Sequence, residues 1–362
     1  MTPGVVLVSS AMLRHAGTMS AISRSRTPRA TLHSVAAAAG VSKSTVSRIL
    51  DERLPHSDNE TAQRVRRVAA ELGYVRDVSA AALRRGQTMT VGVIVPRLTD
   101  TVMAVFYEAM ARACARSGRF AVVATTDDDP GAERLAAESL LRRGVDGLVL
   151  ATFREGDPLI DDLRARGVAC VLALRTDGHS LSSIGDDRLG GYLATRHLID
   201  LGHRRIGLIA GPGFASSARG RAEGYRRALE EAGITPDPAL SVESSFGIES
   251  GGQAALRLMD LQERPTALFS VNDNTAIGAM SALARLGLSV PHDVSVVGYN
   301  DIPIVGLLPT PLTTVRVPFD TIAASALELL VDGPEAGAGR VRIATPSLIP
   351  RRSTARPRSS PP

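Results

Sequence analysis

A chain of 362 residues, 44% hydrophobic and 22% charged, has room for one small and one large domain and has the composition of an ordinary globular protein. Aromatic residues make up only 3% and tryptophan is absent, so core and pocket must rest on aliphatic packing. The net charge of +5 is unevenly spread: residues 1–88 carry 13 Lys/Arg against 6 Asp/Glu, residues 89–349 carry 25 against 31, and residues 350–362 add four arginines. A basic head on an acidic body suits a head that meets a polyanion.

No apolar run is long enough to cross a membrane. The run Val5-Val6-Leu7-Val8 has no basic region before it and no clear cleavage site, which argues against a secretory signal. Residues 1–30 read as a disordered arm, or translation starts later, for example at Met19. Cys114 falls in a helical pattern and Cys170 in an apolar strand. Neither belongs to a disulfide framework or a metal site, and both read as buried reduced thiols of a cytoplasmic protein.

The first structured block, residues 31–74, has the pattern of short helix, tight turn, short helix, loop and longer helix. Gly40 ends the first helix as a residue free to take positive φ. Ser42 caps a second helix beginning at Lys43. Asp58 is expected to cap the third, which carries Val65, Val68, Ala69 and Leu72 at the spacing of one buried face. Small residues at Ala36 and Ala39 let two helices cross closely, Gly40 permits the turn, and Val41 and Val46 fill the space between, as a helix-turn-helix requires. The second helix then presents Lys43, Ser44, Thr45, Ser47 and Arg48 to a major groove or its rims, and its N-terminus with Ser42 favours a phosphate. Lys43 is the only lysine in the chain.

Residues 75–88 read as a hinge linker with one helical turn at most, 79–83. From Met89 apolar runs of strand length alternate with amphipathic helices. The expected strands are 91–95, 120–125, 147–151, 169–174, 205–210, 267–271 and 294–298. A spacing near 30 residues with a helix between is the βαβ rhythm of parallel sheets. The rhythm runs through 89–201 and again through 203–310, giving two lobes with a ligand cleft at their strand C-termini. Asp129 and Pro130 have the N-cap and N1 positions of a helix that follows a strand. The core is expected over 89–354, as a first lobe of 89–201 plus about 314–335 and a second of 203–313 plus about 340–354, followed by a disordered tail, 355–362.

The run Val35-Ala36, Ala39-Gly40-Val41-Ser42, Thr45-Val46-Ser47-Arg48, with Leu72-Gly73-Tyr74 closing the third helix, resembles the DNA-binding head of the LacI/GalR family. By that resemblance Lys43 and Ser44 occupy the two main base-reading positions and Arg48 a third. Ser42, Thr45, Ser47, His56 and Tyr74 fall where phosphate or the groove margin is contacted. The linker is similar to the family hinge: Ala80 and Leu83 match it, and Leu83 sits where a leucine would wedge into the minor groove. Arg76, Asp77 and Ala81 depart from the pattern, and Asp77 would repel phosphate.

The body is similar to the same family's periplasmic-binding-protein-like core. It matches at Arg142-Arg143-Gly144-Val145-Asp146-Gly147, Leu201-Gly202-His203-Arg204-Arg205-Ile206, Val297-Gly298-Tyr299-Asn300-Asp301 and Pro350-Arg351-Arg352-Ser353-Thr354. The resemblance implies an all-α helix-turn-helix head on a two-lobed α/β parallel-sheet core. It implies a homodimer that reads a near-palindromic double-stranded operator, acts as a repressor in the cytoplasm on the nucleoid, and is controlled by a small molecule in the cleft. Carried over residue by residue, Asp186 accepts hydrogen bonds from ligand hydroxyls, Arg221 donates its fork, and Ser217 lies one turn before it. Phe246 and Phe319 pack on a ligand face, and Asn272 and Asn300 enter the cleft from strand ends. The set suits a sugar or polyol. Where many sugar-responsive members have Asn-Pro-Phe-Phe after the first strand, this chain has Asp100-Thr101-Val102-Met103: an aromatic floor is missing and an extra acid, Asp100, faces the ligand. That departure admits a positively charged or smaller effector, a nucleoside or purine, or a pocket that no longer binds anything.

No cofactor or catalytic site is implied. Gly211-Pro212-Gly213 is too short for a phosphate loop, G-x-S-x-G is absent, the histidines lack metal spacing, and Asp127-Asp128-Asp129 reads as a loop and helix cap. A solute-binding protein would share the body but not the head.

Overall fold

Thr31 starts the first helix reciprocally: its hydroxyl accepts from the Ser34 N–H (3.2 Å) and the Ser34 hydroxyl accepts from the Thr31 N–H (2.8 Å). The computed structural model describes residues 30–50, 57–74, 87–333 and 340–358. His56, Ala80, Leu83 and the departures at 76, 77 and 81 lie outside them, as does most of the N-terminal arm. The chain divides into two units, 1–81 and 82–362.

In the head, α1 (Leu32–Ala39), α2 (Lys43–Ile49) and α3 (Glu60–Glu71) enclose Val35, Ala36, Ala39, Val46, Val65 and Ala69. Gly40 turns the chain at φ 66°, a left-handed conformation that a side chain would strain. Ser42 caps α2 by accepting from the Thr45 N–H (3.1 Å). The third helix is capped not by Asp58 but by Asn59, whose side chain accepts from Ala62 (2.9 Å). Asp58 instead pairs with Arg66 (3.3 Å), since two adjacent residues of equal capping ability leave the choice to the surrounding contacts.

The body contains two six-stranded sheets. The strands are β1 (Thr90–Val95), β2 (Phe120–Thr125), β3 (Gly147–Leu150), β4 (Cys170–Ala173), β5 (Ser182–Gly185), β6 (Ile206–Ala210), β7 (Ser241–Glu243), β8 (Ala267–Ser270), β9 (Ser295–Asn300), β10 (Thr313–Arg316), β11 (Val341–Ala344) and β12 (Ser347–Ile349). The first sheet runs β11-β5-β4-β3-β1-β2 and is parallel throughout. The second runs β12-β10-β9-β8-β6-β7, and only its β12 edge is antiparallel. Central strands are buried on both faces, which is why they read as continuous apolar runs.

The lobes exchange more chain than the sequence reading expected. The helix Asp187–Asp200 packs on the second lobe, against Ser216–Glu231 and β9. Strand β10 belongs to the second sheet and β11 to the first. The helix Phe319–Asp332 covers β4 and β5 of the first sheet and packs on Thr101–Arg116. The chain therefore crosses between lobes three times, at 186, at 317–318 and at 345–346. Residues 355–358 are not a loose tail. The Ala355 N–H donates to Ser295 Oγ (3.0 Å), its carbonyl lies 2.9 Å from Nε2 of buried His203, and Arg358 pairs with Asp293 (2.7 Å).

Candidate functional site

On the head, the side chains of Ser42, Lys43, Ser44 and Arg48 are exposed on α2, while Thr45 and Ser47 are half-buried. Ser42 Oγ lies 2.8 Å from both Ser44 Oγ and Thr45 Oγ1, so three of the expected contact residues form one hydroxyl cluster at the start of the helix. Tyr74 is half-buried and packs against the head core.

In the body, a cleft opens at the C-terminal ends of both sheets, with about 610 Å³ of empty space including its mouth. Six of the eight expected effector residues line it: Asp100, Ser217, Arg221, Phe246, Asn272 and Asn300. Asp186 does not. Its carboxylate caps the helix Asp187–Asp200 by accepting from the Leu189 N–H (2.9 Å), and the next residue, Asp187, turns into the cleft. Phe319 is also absent from the lining. It begins a helix just after Pro318 and is buried in the core, while Val317 two residues earlier reaches the cleft wall.

Arg221 anchors the second lobe's side. Its Nε donates to Asp187 Oδ1 (2.8 Å), its Nη1 donates to the Val271 carbonyl (2.7 Å), and its guanidinium lies over the Tyr299 ring at 3.8 Å. Burial opposes the charge, but the Asp187 carboxylate outweighs it and raises the Arg221 pKa. The helix carrying Arg221 is held by contact without side chains: a Cβ at Gly191 would sit 2.2 Å from the Arg221 carbonyl oxygen. Asn272 uses its oxygen to cap Asp273–Arg285 through Thr275 (2.8 Å) and donates its amide to the Phe246 carbonyl (3.0 Å), fixing that ring's loop. Asn300 is buried, and among the described residues its Oδ1 has no hydrogen-bond partner.

The first lobe contributes groups that the sequence reading missed. Arg97, Asp128, Leu174 and Arg175 each follow a strand of that lobe and line the cleft. Their position just beyond strand C-termini was the available signal. Arg175 is only 3% exposed. Its Nη1 reaches Asp128 Oδ1 (3.2 Å) and the Thr152 carbonyl (3.1 Å), and burial pulls its pKa down against the opposing Asp128 charge. Left-handed backbone collects here, at Asp128 (φ 59°), Leu174 (φ 63°) and Asn300 (φ 109°), as strained conformations do where side chains must be aimed. Behind Asn300, the Asp273 carboxylate accepts from Thr314 Oγ1 (2.6 Å) and the Ile302 N–H (2.8 Å). Burial pushes its pKa up to about 7 in spite of those hydrogen bonds.

The lobes touch across the cleft. Asn274 donates to Asp100 Oδ1 (2.9 Å), the Thr176 N–H donates to Ser216 Oγ (2.9 Å), Arg219 pairs with Glu155 (2.5 Å), and Arg154 stacks on the Phe214 ring (3.6 Å). Among the described residues no group of His, Cys, Asp or Glu is arranged to hold a metal ion, and no helix is long and apolar enough to cross a membrane.

A helix-turn-helix head in one unit and a two-lobed cleft in the other define a ligand-responsive DNA-binding regulator. Residues 31–77 match the model of bacterial regulatory proteins of the lacI family, and residues 195–354 match that of the periplasmic binding protein-like domain. The HTH-type transcriptional repressor PurR of Haemophilus influenzae (strain PittEE) is 34% identical over 306 residues, covering 84% of this chain and 90% of that one. The ribose operon repressor of Escherichia coli (strain K12) is 33% identical over 305 residues, 83% and 92% of the two chains. The lac repressor dimer bound to operator and the anti-inducer ONPF aligns with a TM-score of 0.79 at 29% identity, over 90% of this chain and 99% of that one. The chain belongs to the LacI family of bacterial regulatory proteins, and it is a DNA-binding transcriptional regulator and not an enzyme.

Proposed function

We propose that the protein is a homodimeric repressor, acting in the cytoplasm on a near-palindromic operator, whose DNA affinity is set by a sugar or polyol in the inter-lobe cleft. The observation that carries the effector reading is Asn300, which lines the same cleft as Arg221, Asp187 and Ser217 and whose buried Oδ1 has no hydrogen-bond partner among the described residues. A buried acceptor without a partner costs about 1–3 kcal/mol, and a ligand hydroxyl relieves that cost. Among the described residues a single aromatic ring, Phe246, lines the cleft, which suits one face of a sugar ring better than a purine sandwiched between two rings. Lys43 is the expected base reader, with Ser44 and Arg48 beside it, while Ser42, Thr45 and Ser47 position the helix on phosphates.

Pairing of two chains is supported by an apolar face on the second lobe. Ile277, Met280, Leu288 and Leu308 wall a groove there, and nearby Leu307 is 84% exposed, apolar surface whose removal from water favours association. An effector works by preferring one lobe angle, keeping or breaking the contacts Asp100–Asn274, Ser216–Thr176 and Glu155–Arg219.

The test is a salt-controlled titration against DNA flanking the protein's own coding region, with wild type beside Lys43→Ala, in the presence of a panel of sugars, polyols and purines. Competitor-resistant binding that Lys43→Ala weakens about tenfold or more, and that a sugar or polyol shifts, is the expected result. A shift by purines alone would replace the sugar reading, and binding unchanged by Lys43→Ala would overturn the assignment of the base-reading position.

A further inference from the structure

The charges on the cleft wall do not all pair. Among the described residues six charged ones line it: Arg97, Asp100, Asp128, Arg175, Asp187 and Arg221. Asp187 holds Arg221 at 2.8 Å, and Asp128 holds Arg175 at 3.2 Å. Arg97 sits 40% exposed and turns to Asp127 at 3.5 Å. Asp100 is left without a cation among the described residues. Its Oδ1 accepts both the Val102 N–H of its own helix (3.0 Å) and the Asn274 amide of the opposite lobe (2.9 Å). No hydrogen bond from a described residue reaches its Oδ2.

We infer that the effector carries a protonated amine, and that the Asp100 carboxylate, at the junction of the two lobes, is the group that selects it. This rests on the sugar or polyol reading above and narrows it to an amino sugar or amino polyol. A carboxylate half removed from water and without a counter-ion is costly until a cation arrives, and an ammonium group beside Oδ2 supplies both the charge and a donor. Burial, with Asp128 nearby adding to it, raises the Asp100 pKa against the Val102 and Asn274 hydrogen bonds and the Arg97 charge, the direction expected of an acid waiting for a cation. The rest of the wall fits the remainder of such a ligand: Asn300 and Ser217 for hydroxyls, and Phe246 for an apolar ring face.

Asp100→Asn separates charge from structure. Asparagine is as good an N-cap as aspartate, so the helix Thr101–Arg116 keeps its start, and the amide oxygen can still accept from Asn274. Calorimetric titration of the full-length protein would compare glucosamine, galactosamine and mannosamine with glucose, galactose and mannose, on wild type and on Asp100→Asn. The expected result is that at least one aminohexose binds wild type about tenfold or more tightly than its parent hexose. That preference should vanish in Asp100→Asn, and in wild type it should fade as pH falls through the raised Asp100 pKa. Equal or tighter binding of a parent hexose, or an amine preference that survives Asp100→Asn, would overturn the inference and leave the sugar reading standing. If neither set binds, the sugar reading fails and this inference falls with it.

Discussion

Arg221 shows how a single side chain in this cleft serves two ends. Its guanidinium neutralises Asp187, hydrogen-bonds a strand-end carbonyl and stacks on Tyr299, so one residue holds the second lobe's wall in place. Both partners of the ion pair are about nine-tenths buried. Arg221→Met should therefore leave Asp187 as an uncompensated buried charge and cost about 3–5 kcal/mol in denaturant unfolding. A loss below about 1 kcal/mol would mean that solvent reaches Asp187 freely. Asp273 gives a pH signature. Its folded pKa of about 7 lies above the ordinary aspartate value of 3.8, so the folded state holds a proton that the unfolded chain releases. Its contribution to stability is fully present below pH 3.8 and is lost as pH rises toward 7. The stability difference between wild type and Asp273→Asn should accordingly shift in the variant's favour across that window, by an amount on the order of 1–3 kcal/mol. A difference that stays flat with pH would show that Asp273 titrates normally.

At the scale of elements, function depends on two helices approaching more closely than side chains permit. The helices Asp187–Asp200 and Ser216–Glu231 cross at glycines on both sides, where a Cβ on Gly191 or Gly224 would meet backbone oxygen at 2.2 or 2.1 Å. That crossing sets the distance between Asp187 on one helix and Arg221 on the other. Gly191→Ala forces the helices apart against backbone that cannot yield locally. Overpacking of this kind costs about 1–3 kcal/mol, and calorimetric melting should register it as a lowered Tm together with weaker effector binding. An alanine variant with wild-type Tm would mean that the crossing is looser than the distances say. The five strands that no apolar run announced are β5, β7, β10, β11 and β12. They have three or four residues each, and several are polar or lie at a sheet edge, as in Ser182–Gly185. So short a segment carries too few residues for a period, and its partner strand decides its conformation.

Across the whole chain, the proposed regulation asks that the lobes move and that two copies stay together. Three crossings let the lobes change angle without breaking either sheet. The exposed apolar face around Leu307 supplies the proposed contact between copies. Leu307→Asp places a charge in that face and should shift sedimentation from dimer toward monomer at micromolar concentration. Operator binding should then weaken because one head alone reads half a site. An undisturbed dimer would place the interface elsewhere.

Much of this architecture is local enough to be read from the residues themselves. The Gly40 turn, the Ser42 cap, the Asp129 cap and seven of the strands each depend on a few neighbours in the chain. Six cleft residues were reached through the family resemblance, and two of them, Asn272 and Asn300, also from their places at strand C-termini, which in a parallel α/β sheet all point the same way. Other features rest on which of two neighbours a cap claims, or on contacts between residues distant in the chain. Asp187 rather than Asp186 faces the cleft because a cap turns the first carboxylate back on its own helix. Arg175 and Asp128 meet there across 47 positions. Phe319 joins the core because the helix it starts packs on the first sheet, and 355–358 are held because His203 and Ser295 receive them. The lobe that each late strand joins is decided the same way: a strand takes whichever open sheet edge buries it, and that edge exists only once the fold has formed.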